Sequence, residues 1–299
     1  MKYTATNPPP VCLMTQSTNY RDTDEIEVVG VLLHSTGANN PELRRYVQPD
    51  DDAPDAAEWL AKLGKNIYGN DYNHRSVQGG ATGWLGRLAD GSVSFVQTLP
   101  WQFRPWTCGK GKYGSCNGIS QGGKKLGWIQ FEICEDNLKD ENYFDAIYRE
   151  SCEVTAYLCR AFSLDTDGFV TINGIDVPAV TCHADAHKLG FASNHADVNH
   201  WFSRYGKTMD VFRDHVSELL TADTLSPLYR VQVGAFKNAV YAAMTVAKLK
   251  LLGYEAYTVS DGTYTRVQVG AFRKKSYAEH LKATLAAQGF VTVIKEALT

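Results

Sequence analysis

The chain has 299 residues, 44% of them hydrophobic and 21% charged, with a formal net charge of -3. That length exceeds what a single hydrophobic core usually serves, and the apolar fraction excludes a mainly disordered or fibrous chain. No apolar run approaches the ~20 residues of a membrane helix, and the start MKYTATNPPPVCLMTQ lacks the basic stretch and apolar core of a secretory signal.

In chain order, Glu27 to Leu33 reads as an apolar strand that delivers His34 to a turn at Ser35-Thr36-Gly37. Asp55 to Leu63 reads as a helix, its start marked by Pro54 and an acidic run that suits the positive end of the helix dipole. Val93 to Leu99 and Trp128 to Cys134 read as strands on either side of a Gly/Lys-rich loop, CGKGKYGSC. Asn142 to Phe162 has the spacing of a long amphipathic helix, Val180 to His183 that of a short strand, and Met209 to Leu220 that of another helix. The fold class predicted for this part is α/β, a mixed sheet flanked by helices. Seven cysteines show no metal-finger spacing, and without a visible export signal they are expected to be free thiols. Cys108 and Cys116, which bracket the loop, are the pair that oxidising surroundings would join.

Beyond Thr221 the chain repeats itself. Arg230 to Phe236 and Arg266 to Phe272 both read RVQVGAF. A helical pattern follows each copy, over 238–252 with Val240, Met244, Ala247 and Leu251 on one face, and over 276–288 with Tyr277, Leu281 and Leu285. Gly253 and Gly289 supply the helix stops, and Tyr254 to Val259 and Phe290 to Ile294 the remaining strands. The sum is a small α+β domain of order βαββαβ, ferredoxin-like. From Ser226 onward ten basic residues stand against four acidic ones, a balance of +6, which leaves 20 against 29, or -9, for the rest. Such asymmetry argues for two functions, one of them facing an anionic or polymeric surface. The predicted domains are 1–220, a linker at 221–227, and 228–299.

Seven of the eight histidines precede the repeat. His34, at a strand exit beside a Gly turn, is placed to point into a cleft. The denser cluster is CHADAHKLGFASNHADVNHW, which holds His183, His187, His195, Asp197 and His200. Imidazole and carboxylate suit Zn2+, and three protein ligands with an open position define a catalytic site. Cys182 and His183 point to opposite faces of a strand, so the thiol is not expected at the same metal. The HEXXH helix signature is absent. Along Trp128-Ile129-Gln130-Phe131-Glu132-Ile133 the alternation puts Gln130 and Glu132 opposite the three apolar side chains. A carboxylate in mid-strand must pair with a cation or serve a site.

His34-Ser35-Thr36-Gly37, the run GWIQFEICED and the block HADAHKLGFASNHADVNHWF, in that order, resemble the zinc-dependent N-acetylmuramoyl-L-alanine amidases of the Amidase_2 type. These occur in phage endolysins and bacterial autolysins and share a fold with peptidoglycan recognition proteins. The resemblance spans about residues 20–215. It implies Zn2+ as cofactor, held by His34, His183 and Asp197, with Glu132 as general acid–base group and His195 stabilising the oxyanion. The interval from His183 to Asp197 is longer than in compact members, which leaves His187 or His200 as substitute ligands. The repeat resembles a SPOR domain, a module that binds peptidoglycan glycan strands. This likeness implies glycan contacts from Arg230, Gln232, Arg266, Gln268 and Tyr257 on an open sheet face, with Tyr229 or Tyr264 nearby, while the motif valines face the helices.

The expected function is therefore a peptidoglycan hydrolase that cuts the amide between N-acetylmuramic acid and L-alanine, an endolysin held in the cytoplasm until lysis or export and then acting at the wall. Its partner is peptidoglycan, with no nucleic acid and no transmembrane segment. Two readings compete: a non-catalytic peptidoglycan-recognition protein using the same cleft, and a zinc peptidase acting on the stem peptide.

Overall fold

The computed structural model describes residues 1–76, 79–223, 228–254, 256–272 and 275–297. The chain forms two compact units, Met1–Leu220 and Thr221–Thr299.

The first unit is built on a mixed sheet. Its strands are β1 (Glu27–Ser35), β2 (Gly83–Arg87), β3 (Val93–Gln97), β4 (Ile119–Gln121), β5 (Lys124–Ile133) and, after a hairpin of β6 (Phe169–Ile172) and β7 (Ile175–Pro178), β8 (Val180–Cys182). The order is β3-β2-β5-β1-β8, with β4 added beside β5. The β1 pairings with β5 and β8 are parallel, as is β2 with β5. The helices are α1 (Thr18–Asp22), α2 (Ala56–Leu63), α3 (Glu141–Ala161), α4 (His183–Lys188), α5 (Asn199–Phe202) and α6 (Met209–Asp223).

Alternation along the strands decides where the site lies. Val31 and Leu33 of β1, Ile129, Phe131 and Ile133 of β5, Leu85 of β2, and Val180 and Cys182 of β8 point to one face and join a buried core with Phe144, Ile147, Val154 and Leu158 of α3. Asp140 starts α3 by accepting from the Tyr143 N–H, which satisfies one of the helix's free donors. The intervening residues, Leu32, His34, Trp128, Gln130 and Glu132, therefore face the other way.

Several elements differ from the sequence-based expectation. His183 is the first residue of α4 and not the end of a strand. The strand β2 carries two glycines among five residues, which masks its pattern. Here Gly83 is needed for close approach, because a Cβ would meet the Phe95 ring at 2.1 Å. Of the expected linker 221–227, residues 221–223 continue α6 and 224–227 lie outside the described residues. All seven cysteines are free and buried, Cys108 and Cys116 included.

The second unit has β9 (Leu228–Phe236), α7 (Ala239–Leu251), β10 (Ala256–Ser260), β11 (Thr265–Phe272), α8 (Lys275–Ala287) and β12 (Val293–Ala297). Its antiparallel sheet runs β10-β11-β9-β12, the βαββαβ arrangement. Val231, Val233, Val267 and Val269 are buried with Ala242 and Leu249 of α7 and Ala278 and Leu285 of α8, so the motif valines do face the helices. Gly253, at a φ of 85°, takes the left-handed conformation that stops α7.

The face of α7 is a correction. Met244 and Leu251, read from the sequence as one apolar face with Val240, are 62% and 88% exposed, and Val240 is exposed too, so that face is not the packed one. The helix instead packs through Ala242, Val246 and Leu249. Apolar residues surround α7, so spacing alone could not select a face, and the small Ala242 lets the helix lie close to the sheet. Among the described residues, no helix is long and apolar enough to cross a membrane.

Candidate metal centre

Register brings the first group together. In the parallel pair β1/β5, His34 lies opposite Glu132, and in β2/β5 Trp84 lies opposite the same Glu132. On the other side of β1, Leu33 lies opposite Cys182. The next residue, His183, therefore comes level with His34. Asp197 arrives from the loop after α4, held by its carbonyl accepting the Ala184 N–H at 2.9 Å and by its Oδ2 accepting the Ser35 N–H at 3.3 Å.

The Nδ1 atoms of His34 and His183 stand 3.0 Å apart. Asp197 Oδ2 is 3.3 Å from the first and 3.5 Å from the second. All three residues are buried, and they are the one such group among the described residues able to hold a metal ion. The outer nitrogens are anchored as well. His183 Nε2 donates to the Ser193 carbonyl at 3.0 Å, and His34 Nε2 lies 2.8 Å from Gln130 Oε1. Second-layer bonds of this kind fix the ring orientation of a metal-binding histidine. Burial holds His34 below its ordinary pKa despite the Asp197 charge. Burial would raise Asp197, but hydrogen bonds and charge from His183 and His34 outweigh it and keep the carboxyl well below the usual carboxylate range.

Glu132 carries the opposite perturbation. Burial, then the negative charges of Asp197 and Glu135, push its pKa well above the ordinary value. Its Oε2 is shut from solvent with no hydrogen-bond partner. His34, Glu132, His183, His195 and Asp197 share a cleft of about 160 Å³, completed by Ser35, Thr36, Tyr46, Tyr72, Trp84 and Thr107. Ser35 Oγ and Trp84 Nε1 are likewise buried and unpartnered. Three orphaned polar atoms on residues around one cleft are costly unless something polar enters it. His195 sits at the rim, 62% exposed, its Nδ1 3.9 Å from Asp197 Oδ1.

The two substitute ligands are engaged elsewhere. His187 Nδ1 is 3.2 Å from the Ala192 carbonyl, and His200 Nε2 is 3.0 Å from Glu135 Oε1. Sequence reasoning missed the aromatic wall, in which Tyr46 stacks on Trp84 with centroids 5.0 Å apart and Tyr72 lies 4.6 Å from the same indole. It also gave Gln130 a face but no task. The signal was its place on the same strand face as Glu132, where an amide that becomes covered needs partners of its own.

In the second unit, Tyr257 lies opposite Gln268, and Gln268 opposite Gln232, a row across three strands. Tyr257 is exposed, and Arg230, Arg266 and Gln268 are half-buried. Arg266 is paired with Asp261. Gln232, expected on an open face, is only 6% exposed. Tyr229 shares the face of Val231 and packs against the core, so it is not beside the row.

The chain thus joins an α/β unit carrying a buried His-His-Asp group to a small βαββαβ unit. Residues 226–296 match the SPOR domain family. No curated protein sequence matches the chain. Among solved structures, the chain is similar to the peptidoglycan binding domain of the B. subtilis cell wall lytic enzyme CwlC, at 30% identity over 24% of this chain and 91% of that one, TM-score 0.23. It is similar to the Staphylococcus aureus hydrolase AmiA in complex with its ligand, at 16% identity over 73% of this chain and 80% of that one, TM-score 0.39. A third similar structure is PlyL, at 14% identity over 70% and 96%, TM-score 0.39.

Proposed function

We propose that the chain is a zinc-dependent peptidoglycan amidase that cleaves the bond between N-acetylmuramic acid and L-alanine, and that its SPOR domain brings it to the glycan. The observation that carries the reading is the triangle of His34 Nδ1, His183 Nδ1 and Asp197 Oδ2, with edges of 3.0, 3.3 and 3.5 Å. Tetrahedral zinc with bonds of about 2.0–2.2 Å requires ligand-to-ligand edges of about 3.3–3.6 Å, which the two edges to Asp197 meet while the two imidazole nitrogens stand closer. Two imidazoles and a carboxylate are a donor set zinc accepts, with one position left for substrate or water.

Bound zinc supplies a Lewis acid that polarises a carbonyl and lowers the pKa of water toward ~7. Glu132 provides the proton traffic. Its Oε2 takes a proton from the attacking water and returns it to the nitrogen of the departing L-alanine amine, so water and amide give acid and amine. Burial raises this carboxyl above its ordinary value, which strengthens it as a proton acceptor. His195, at the rim, donates an N–H to the oxygen on which negative charge develops. The Tyr46, Trp84 and Tyr72 rings form an apolar wall against which the lactyl and alanyl groups pack.

The SPOR domain would hold glycan through the row of Tyr257, Gln268 and the edge of Gln232, flanked by Arg230 and Arg266. Aromatic faces beside amide and guanidinium donors fit the alternating apolar and hydroxyl surfaces of a sugar. Digestion of purified peptidoglycan by the full chain, with and without chelator, tests the whole reading. New amino termini should be L-alanine and should disappear with chelator. Other termini would favour the stem-peptide peptidase, and intact peptidoglycan with retained binding the recognition protein.

A further inference from the structure

We infer that Asn117 and Gln130 form a polarity relay that sets which nitrogen of His34 faces the metal group. The inference rests on the metal reading above and extends it to the layer behind the ligands. The relay begins at the backbone. The N–H groups of Thr107 and Cys108 both reach Asn117 Oδ1, at 3.2 Å each. A backbone N–H can only donate, so the atom it meets must be the amide oxygen and not the nitrogen. The Cys108 thiol adds a third donor to the same oxygen at 3.2 Å.

Gln130 is the next link. The end of its amide that lies 3.0 Å from Asn117 Oδ1 must donate, so it is Nε2. Its oxygen is then turned to His34 Nε2 at 2.8 Å. A carbonyl oxygen only accepts, which places the hydrogen of neutral His34 on Nε2. The Nδ1 lone pair is left bare toward His183 Nδ1 and Asp197 Oδ2. Turning Gln130 over would set its oxygen against Asn117 Oδ1 and its NH2 against His34 Nε2. His34 would then carry its hydrogen on Nδ1, in the space a metal must fill. Asn117 and Gln130 are both buried, where an acceptor facing an acceptor is not relieved by water. His183 reaches the same state by a different route, through the Ser193 carbonyl. Asn117 and Gln130 are positioning residues, since neither lies at the reacting atoms.

The test is the tautomer itself, read by two-bond 1H–15N correlation on metal-stripped full chain carrying 15N-histidine. Wild type should show His34 with its hydrogen on Nε2. Asn117→Asp keeps an acceptor oxygen for the two N–H groups and for Gln130, and should keep that pattern. Gln130→Leu should lose it and bind zinc about 10–100-fold more weakly. Hydrogen on Nδ1 of His34 in the wild type would overturn the relay, and so would an unchanged tautomer and zinc affinity in Gln130→Leu. The wild-type spectrum needs no substitution, so a variant that fails to fold does not remove the test. A wild-type chain with hydrogen on Nε2 that takes up no zinc supports the relay and overturns the metal reading. Zinc uptake with His34 bound through Nε2 does the reverse.

Discussion

The strands β5 and β11 carry the same alternation and put it to different uses. On β5, Ile129, Phe131 and Ile133 pack against α3, while Gln130 and Glu132 face a second covered side. On β11, Val267 and Val269 pack against the helices, while Arg266 and Gln268 stay half open to solvent. A polar side chain on an open face needs no partner beyond water. One on a covered face must be satisfied or serve a site. Gln130 is satisfied, through Asn117 and His34, and Glu132 Oε2 is not. That difference is what the proposed division rests on, with chemistry in the first unit and surface recognition in the second.

That contrast predicts effects that separate by unit. The largest falls on the ligands: His183→Ala should abolish release of L-alanine termini while the chain still sediments with peptidoglycan. Loss of both together would tie recognition to the metal centre and break the division. Glu132→Gln should lower turnover by about 10²–10⁴-fold, the usual range for a positioned acid–base group, with zinc content unchanged. Full activity in this variant removes Glu132 from the mechanism.

The second unit answers to packing. Leu249→Ala should destabilise it by about 2–5 kcal/mol, whereas Leu251→Ala, on the exposed side of α7, should stay within about 0.5 kcal/mol. Thermal or denaturant unfolding of the two variants checks this, and equal effects would restore the helix face expected from sequence. The smallest effect is one of pH. The Glu135 carboxylate, 3.0 Å away, raises His200 above its ordinary value despite partial burial. Its contribution is full below the unfolded value near 6.5 and disappears as pH rises through the higher folded value. A partly exposed pair of this kind contributes at most about 1 kcal/mol. The melting temperature should therefore fall slightly more between pH 6 and 8 in wild type than in His200→Gln.

Much of this arrangement was legible in the sequence. The apolar run of β1, the period of α3 and the doubled RVQVGAF each have one dominant pattern that tertiary packing did not override. His34 stood out by its place at a strand exit, His183 and Asp197 by the density of their cluster and Glu132 by its place in mid-strand, while their choice as a set came from the family resemblance. What escaped was set by long-range contact. Trp84 and Tyr72 reach the cleft through a strand broken by glycines and a loop with no period. The face of α7 was ambiguous because it is apolar all round, and the burial of Gln232 has no counterpart in its repeat mate Gln268, which stays half open. Asn117 offered no signal until the fold brought it to Gln130.

The claim on which the rest depends is the metal site, and the most direct measurement is zinc content per chain after exhaustive dialysis of the full-length protein and of His34→Ala. One equivalent in the wild type and none in the variant is the predicted result. A full equivalent in folded His34→Ala, or none in the wild type after exposure to zinc, would contradict it.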